Sequence, residues 1–248
     1  MSTTMKQVRM LEVWLKHRDV LLKDWGLAKK VKLGYSVLFH GPPGTGKTLT
    51  ASILGKSTGR EVYRVDLSVV ASKFIGETEK NLNQLFEKAQ AKDWILYFDE
   101  ADAMFGKRTE MKVAYDRYAN VEISYLLQKM DSYTGLIICS TNKKGNIVEA
   151  FIRRFQANIS FPLPKEDERL RLWQKIIPEE VKLAESIDMQ QVSAEYELTG
   201  AQITNVIQAA SLQAGARHEA TITRHDLLEG IRIEYELAGK ALDDLEER

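Results

Sequence analysis

A single cysteine, Cys139, stands in a chain of 248 residues, so no internal disulfide is possible and the chain fits a reducing, cytoplasmic compartment. Histidine is nearly as sparse. The four, His17, His40, His218 and His225, fall without the short paired spacings that zinc coordination or a hydrolytic triad uses, so metal–histidine and serine–histidine chemistry have no support. Five prolines and fifteen glycines are too few for a low-complexity chain, and 44% hydrophobic with 28% charged residues is an ordinary globular balance. No segment approaches about 18 uninterrupted apolar residues. Residues 1–12 hold lysine and arginine but no apolar stretch of signal-peptide length, so a secreted or membrane-spanning chain is not expected. Net charge is absent too: 35 basic residues balance 35 acidic ones. The balance hides an asymmetry, because the residues up to Pro164 hold 25 basic and 17 acidic side chains and those after it 10 and 18, which leaves halves of +8 and −8. A basic half points to an anion, set against the plainer reading of solvated surface charge.

What is present is a rhythm. Residues 35–39, 62–67, 94–98, 136–140 and 157–161 are short and largely apolar, as strands covered on both faces are. Between the second and third, Leu82, Leu85, Phe86 and Ala89 form a helix stripe; between the third and fourth, Ile123, Leu126, Leu127 and Met130 repeat it. The alternation predicts a parallel sheet with right-handed crossovers. At Phe161-Pro162-Leu163-Pro164 the strand signal stops and two prolines disfavour any continuous element. The predicted division is therefore an α/β unit over 1–164, with a helical lead-in over 1–30, and an all-helical unit over 165–248. In the latter, Leu170, Trp173 and Ile177 share a face, Ile203, Val206, Ile207 and Ala210 share another, and Thr223 with Asp226 reads as a capping box before Leu227, Leu228 and Ile231.

The chemistry concentrates at strand ends. Gly41-Pro42-Pro43-Gly44-Thr45-Gly46-Lys47-Thr48 follows the first strand and opens a helix that continues through Leu49, the context of a phosphate-binding loop. Its glycines allow successive N–H groups to turn toward a β-phosphate at a helix amino terminus. Lys47 suits the β/γ-phosphates, and the Thr48 hydroxyl suits Mg²⁺. The run Trp94-Ile-Leu-Tyr-Phe98 delivers Asp99 and Glu100 at a strand's carboxyl end, where ligands of parallel sheets bind. Asp99 is suited to hold magnesium through water, and Glu100 to orient or deprotonate the water that attacks a γ-phosphate. Asn142, at the end of the fourth strand, offers a neutral amide to that water and phosphate. Arg153 and Arg154 stand side by side near the edge of the unit, too far to serve a phosphate in their own subunit; they suit a neighbour's. Taken singly, an Asn in a turn or a surface Arg pair is more often structural. Asp99-Glu-Ala-Asp102 also spells the tetrad of a large helicase family, but a helical last third leaves no room for the second α/β domain that family needs.

Taken together over about residues 10–238, these ordered segments resemble an AAA+ ATPase, within it the AAA proper branch. Residues 41–48 match its phosphate loop, 94–100 its Walker B strand, Asn142 its sensor 1, Arg153 and Arg154 its paired arginine fingers, and Thr199-Gly200-Ala201 the start of its sensor-2 helix. The resemblance implies a P-loop NTPase three-layer fold with a parallel five-stranded sheet and a small all-helical lid, ATP and Mg²⁺ as cofactors, Gly200 and Ala201 near the nucleotide, and a homo-oligomeric ring, usually of six. It also places pore loop 1 at Ser72-Lys73-Phe74-Ile75-Gly76-Glu77, where Phe74, with Lys73 beside it, would grip an unfolded polypeptide. The other reading makes Phe74 a core residue. Residues 106–120 match a second pore loop, or else a plain surface loop.

Departures from the family pattern are specific. The two arginines are adjacent, as in severing and filament-disassembling members, without the Pro-Gly spacer of many relatives. Gln156 and Gln202 stand where aspartate is common, and for the usual adenine-contacting segment the nearest candidate is Asp24-Trp25-Gly26. No amino-terminal substrate-selecting domain is read before the module, and residues 1–4 look like the start of an excised one. Loosely, residues 92–94 and 116–120 are similar to bacterial single-ring AAA proteins encoded with phage-tail-like contractile injection systems. The expected function is an ATP-hydrolysing ring motor that remodels, unfolds or disassembles protein. The alternative is a nucleic-acid motor or loader on the same core, supported by the basic half with Lys23, Lys29, Lys30 and Lys32 but without a visible nucleic-acid module.

Overall fold

The computed structural model describes residues 2–67, 77–105 and 113–240. They divide into two compact units, Met1–Pro42 with Lys47–Phe161, and Pro43–Gly46 with Pro162–Arg248.

The first unit is a three-layer α/β structure. Helix α1 (Thr3–Asp19), a π-helical turn (Val20–Asp24) and a 3-10 turn (Leu27–Lys29) lead into β1 (Tyr35–His40), α2 (Lys47–Thr58), β2 (Val62–Asp66), α3 (Glu77–Lys92), β3 (Ile95–Asp99), α4 (Asp102–Phe105), α5 (Val113–Ser132), β4 (Leu136–Thr141), a 3-10 turn (Lys144–Asn146), α6 (Glu149–Ile152) and β5 (Ala157–Ser160). The five strands form one sheet in the order β2-β3-β4-β1-β5, and every pairing is parallel. Successive strand residues point to opposite faces. Leu38, Leu96, Phe98, Ile137 and Cys139 thus pack under Leu82, Phe86 and Ala89 of α3 and Ile123, Leu126 and Leu127 of α5. Val37, Phe39, Ile95, Tyr97, Leu136 and Ile138 pack on the other face against Leu11 and Leu15 of α1 and Ala51 and Leu54 of α2. Burial on both faces explains why the strands read as unbroken apolar runs.

The path of the chain opens the site. From β1 it crosses to the far edge of the sheet to lay down β2, then returns through β3 and β4 to β1's side, leaving the carboxyl ends of neighbouring strands clear for a ligand. Register then fixes what meets there. His40 pairs with Thr141, so Gly41 and Asn142 leave the sheet together, and Phe98 pairs with Cys139, which sets Asp99 beside Ser140.

In the second unit, α7 (Glu166–Ile176), α8 (Met189–Glu195), α9 (Gly200–Ala216) and α10 (Arg224–Leu237) enclose Trp173, Val192, Ile203, Val206, Ile207, Leu227 and Ile231. The expected all-helical unit needs correction: β6 (Lys182–Leu183) and β7 (Thr221–Ile222) pair in parallel. Two-residue strands are too short to show a period of their own in sequence. The capping box at Thr223 and Asp226 forms as read. A second box forms at α9, where Thr199 Oγ1 accepts from Gln202 N at 3.3 Å and Gln202 Oε1 from Thr199 N at 3.0 Å. Gln202 therefore fulfils the cap that its departure from aspartate put in question. Among the described residues no helix is long and apolar enough to cross a membrane.

Candidate functional site

Glycine at 41 answers a steric demand. Gly41 sits at φ 150, and a Cβ there would lie 2.0 Å from the Phe161 carbonyl oxygen, while Phe161 is itself tied to the sheet by its N–H to His40 O at 2.8 Å. Any side chain would force the loop off the strand. Six residues on, Lys47 begins α2 and is only 7% exposed. Its ammonium donates to Gly41 O at 2.8 Å, Pro42 O at 2.9 Å and Asn142 Oδ1 at 2.7 Å. Three oxygens thus surround a cation whose pKa burial pushes below the lysine range, with the nearby Asp99 carboxylate acting the other way. Phosphate oxygens are acceptors of the same kind with more charge.

Asp99 is half-buried, with both carboxylate oxygens hydrogen-bonded. Its Oδ1 accepts from the Ser140 hydroxyl and from Glu100 N at 3.1 Å, and its Oδ2 from Arg64 Nη2 at 2.6 Å. Thr48 Oγ1 lies 3.0 Å from the Tyr97 hydroxyl, which burial makes a weaker acid than usual. Thr48 with Tyr97, and Ser140 with Asp99, thus form two hydrogen-bonded pairs at the carboxyl end of the sheet. Glu100, one residue beyond the strand, takes φ 54, a conformation unusual for a non-glycine residue. Asp102 accepts from Thr141 Oγ1 at 2.7 Å and so ties the end of β4 in place. At the mouth, His40 Nε2 lies 3.2 Å from Lys144 Nζ. Burial and the ammoniums of Lys144 and Lys47 hold this imidazole's pKa down.

Gly44 belongs to the second unit, where Ala201 N donates to Gly44 O at 3.3 Å. Gly44 takes φ 76, and a Cβ there would fall 2.5 Å from Thr199 Oγ1. Gly200 and Ala201 thus adjoin Gly44. Leu49, also assigned to the nucleotide, is an exposed position on α2.

The two arginines are elsewhere. Ser36 Oγ donates to Arg154 O at 3.4 Å and Gln156 N to Ser36 O at 2.9 Å, which puts the pair at the amino-terminal end of β1. Gly41 leaves the other end, five residues or about 16 Å further along at ~3.3 Å per residue. Arg154 Nη1 donates to Asp131 at 2.9 Å, a carboxylate that also takes Lys32 at 2.6 Å, and Arg153 to Glu149 at 2.7 Å. Gln156 replaces the expected aspartate functionally: its Oε1 accepts from Ser36 N at 2.8 Å and its Nε2 donates to Gly34 O at 3.0 Å. Trp25 is 69% exposed on the turn before β1. Lys73 and Phe74 fall outside the described residues. Residues 106–112 do too, whereas 113–120, expected as loop, continue helix α5.

A hard dication and a triphosphate fit these residues. Among the described residues no group of three or more His, Cys, Asp and Glu side chains is arranged to hold a metal ion, so such an ion would rely on the Thr48 hydroxyl, on Asp99 through water and on the ligand's own oxygens, the usual way Mg²⁺ is held.

A glycine loop between a strand and a helix, its lysine against a neighbouring strand's amide, and a carboxylate at a third strand's end define a P-loop nucleoside-triphosphate-binding fold. The chain belongs to the ATPase family associated with various cellular activities (AAA), whose family model matches residues 37–163. It is 32% identical over 203 residues to a proteasome-activating nucleotidase of Methanopyrus kandleri, covering 79% of this chain and 46% of that protein. Proteasome-activating nucleotidase 2 of Halobacterium salinarum is 34% identical over 198 residues, 77% of this chain and 48% of its own. A 26S proteasome regulatory subunit 6B homolog of Dictyostelium discoideum is 29% identical over 204 residues, 79% and 50%. The chain thus spans about half the length of the curated relatives it matches.

Proposed function

We propose that this chain is the ATP-hydrolysing module of a cytoplasmic ring motor, a homo-oligomer of six subunits, that remodels or unfolds protein. The observation that carries the nucleotide reading is the Lys47 ammonium held between Gly41, Pro42 and Asn142, next to a carboxylate, Asp99, at the adjoining strand end. In this reading Lys47 exchanges those protein oxygens for the β- and γ-phosphates, drawing the γ-phosphate to Asn142. Residues 41–49 with Gly200 and Ala201 bind the nucleotide, and Thr48 and Asp99 hold Mg²⁺. The ion, when bound, neutralises charge building on the phosphates. Glu100 aligns the attacking water and takes its proton, and Asn142 donates a hydrogen bond without adding charge.

In this reading Arg153 and Arg154 serve a neighbour's γ-phosphate; their location at the end of β1 away from Gly41 supports this and, with it, a closed ring of identical, head-to-tail subunits. Polypeptide is the favoured substrate because the relatives named above are nucleotidases or regulatory subunits of a proteasome; Lys73 and Phe74 are the residues assigned to grip it. The test is steady-state ATP hydrolysis with an unfolded polypeptide or with DNA added. Stimulation by polypeptide, lost in Phe74→Ala, is expected. Stimulation by DNA instead, falling steeply with salt, would transfer the assignment to a nucleic-acid motor.

A further inference from the structure

We propose that Arg64 is the resident cation of the Asp99 site: it holds the carboxylate when no metal is there, yields it to Mg²⁺, and so sets how strongly the site takes the ion. The proposal rests on the reading that Asp99 holds the metal.

Asp99 has two carboxylate oxygens and uses both. Neutral donors, the Ser140 hydroxyl and the Glu100 N–H, take Oδ1. Arg64 Nη2 takes Oδ2 at 2.6 Å, and it is the one side-chain cation within 4.0 Å of Asp99 among the described residues. Lys47 lies near enough to feel the carboxylate's charge, yet its ammonium is bonded to Gly41, Pro42 and Asn142. Thr48, the second oxygen assigned to the metal, is likewise engaged with Tyr97. Both groups are therefore already hydrogen-bonded within the protein. A dication bound to Asp99 needs a carboxylate oxygen, and it repels a guanidinium on the same group.

The position of Arg64 fits a cation that must leave. It stands in β2, the edge strand, paired only with β3, and its side chain is 62% exposed while that of Asp99 is 18% exposed. An arginine needed to hold the fold together would be enclosed by its partners. This one has water on one side to retreat into, at little loss of its own solvation. Asp99, two-sidedly enclosed, has no such freedom, so without Arg64 the metal-free carboxylate would lose its counter-charge. Competition follows: Mg²⁺ and the Arg64 guanidinium repel each other at one carboxylate, so binding of the ion weakens the Arg64 pair and the Arg64 pair weakens binding of the ion.

The test is Mn²⁺ binding to the full chain saturated with ADP at fixed ionic strength, read from the electron paramagnetic resonance signal of free aqueous Mn²⁺. Arg64→Gln removes the competitor and should tighten Mn²⁺ by about two- to fivefold, the range expected for an ion pair with one exposed partner. Arg64→Met, which keeps the stem without the charge, should do the same, and Arg64→Lys should stay near the parent chain. Retained binding of a fluorescent ADP analogue without metal identifies folded variants. Unchanged or weaker Mn²⁺ binding in both neutral variants overturns the proposal, since Arg64 would then only orient Asp99. Asp99→Asn must weaken Mn²⁺ binding; if it does not, the assignment of the metal to Asp99 fails first and the role of Arg64 falls with it.

Discussion

Glu100 separates backbone from chemistry. Its φ of 54 lies in the left-handed region, where a side chain costs about 1–2 kcal/mol relative to ordinary backbone. Glycine avoids that strain but loses more freedom on folding, about 0.5–1 kcal/mol relative to alanine. At this residue the two terms leave glycine ahead by up to about 1.5 kcal/mol; at an ordinary strand or helix position alanine wins. The Glu100 side chain is exposed and, among the described residues, makes no hydrogen bond of its own, so Glu100→Gln should leave stability unchanged. Urea unfolding of Glu100→Gln, Glu100→Ala and Glu100→Gly, alongside ATP binding and turnover, tests both halves. All three should bind ATP and lose turnover by roughly 10²–10⁴-fold, while the glycine variant unfolds at higher urea than the alanine one. If Ala proves more stable than Gly, residue 100 is not strained in solution. If Glu100→Gln hydrolyses ATP at the parent rate, Glu100 is not the residue that activates water.

Other consequences are more local. Arg154→Ala should abolish hydrolysis and spare nucleotide affinity, and mixtures with the parent chain should lose activity more than in proportion to the variant; strictly proportional loss would count against action on a neighbour. Gly41→Ala, with its Cβ driven to 2.0 Å from Phe161 O, should cost about 3 kcal/mol or more and weaken nucleotide binding, and unaltered urea unfolding would show that the loop is free to shift. Asp226 is fully buried and accepts from both Arg217 guanidinium nitrogens at 2.6–2.7 Å and from Thr223, and the Arg217 partner holds its pKa below the ordinary 3.8. A depressed carboxylate stabilises above its unfolded pKa and loses that contribution as pH falls, here from about pH 5 downward. Asp226→Asn should weaken the second unit by about 1–2 kcal/mol at neutral pH and flatten this acid dependence, read as faster hydrogen exchange across Arg224–Leu237; a parallel acid slope in both proteins would move its origin to another group.

How far the sequence could be read depends on the range of the forces involved. Strands buried on both faces announce themselves as apolar runs, and the β1 and β4 ends could be assigned because a phosphate loop is a local grammar of glycine, lysine and hydroxyl. Register is not local. That Asp99 meets Ser140, and Lys47 meets Asn142, follows from pairings across the sheet that no window of sequence contains, and the same is true of Arg64, which is an unremarkable polar residue of an edge strand until β2 is laid beside β3. Tyr97 was hidden for the opposite reason: inside an apolar run it reads as core, which its ring is, while its hydroxyl reaches the end of α2. Backbone strain at Glu100 leaves no trace because no glycine marks it. These omissions share a cause, since each residue acts through a partner brought near only by the fold. They also share a location, the carboxyl end of the sheet where Arg64 and Ser140 meet Asp99 and Tyr97 meets Thr48. Local motifs therefore specify which groups touch the nucleotide, and the tertiary pairings specify what those groups hold before it arrives. The free energy of binding is the difference between the two, so under the proposed assignment Arg64 bears on the affinity for Mg²⁺ along with the residues that would ligate it.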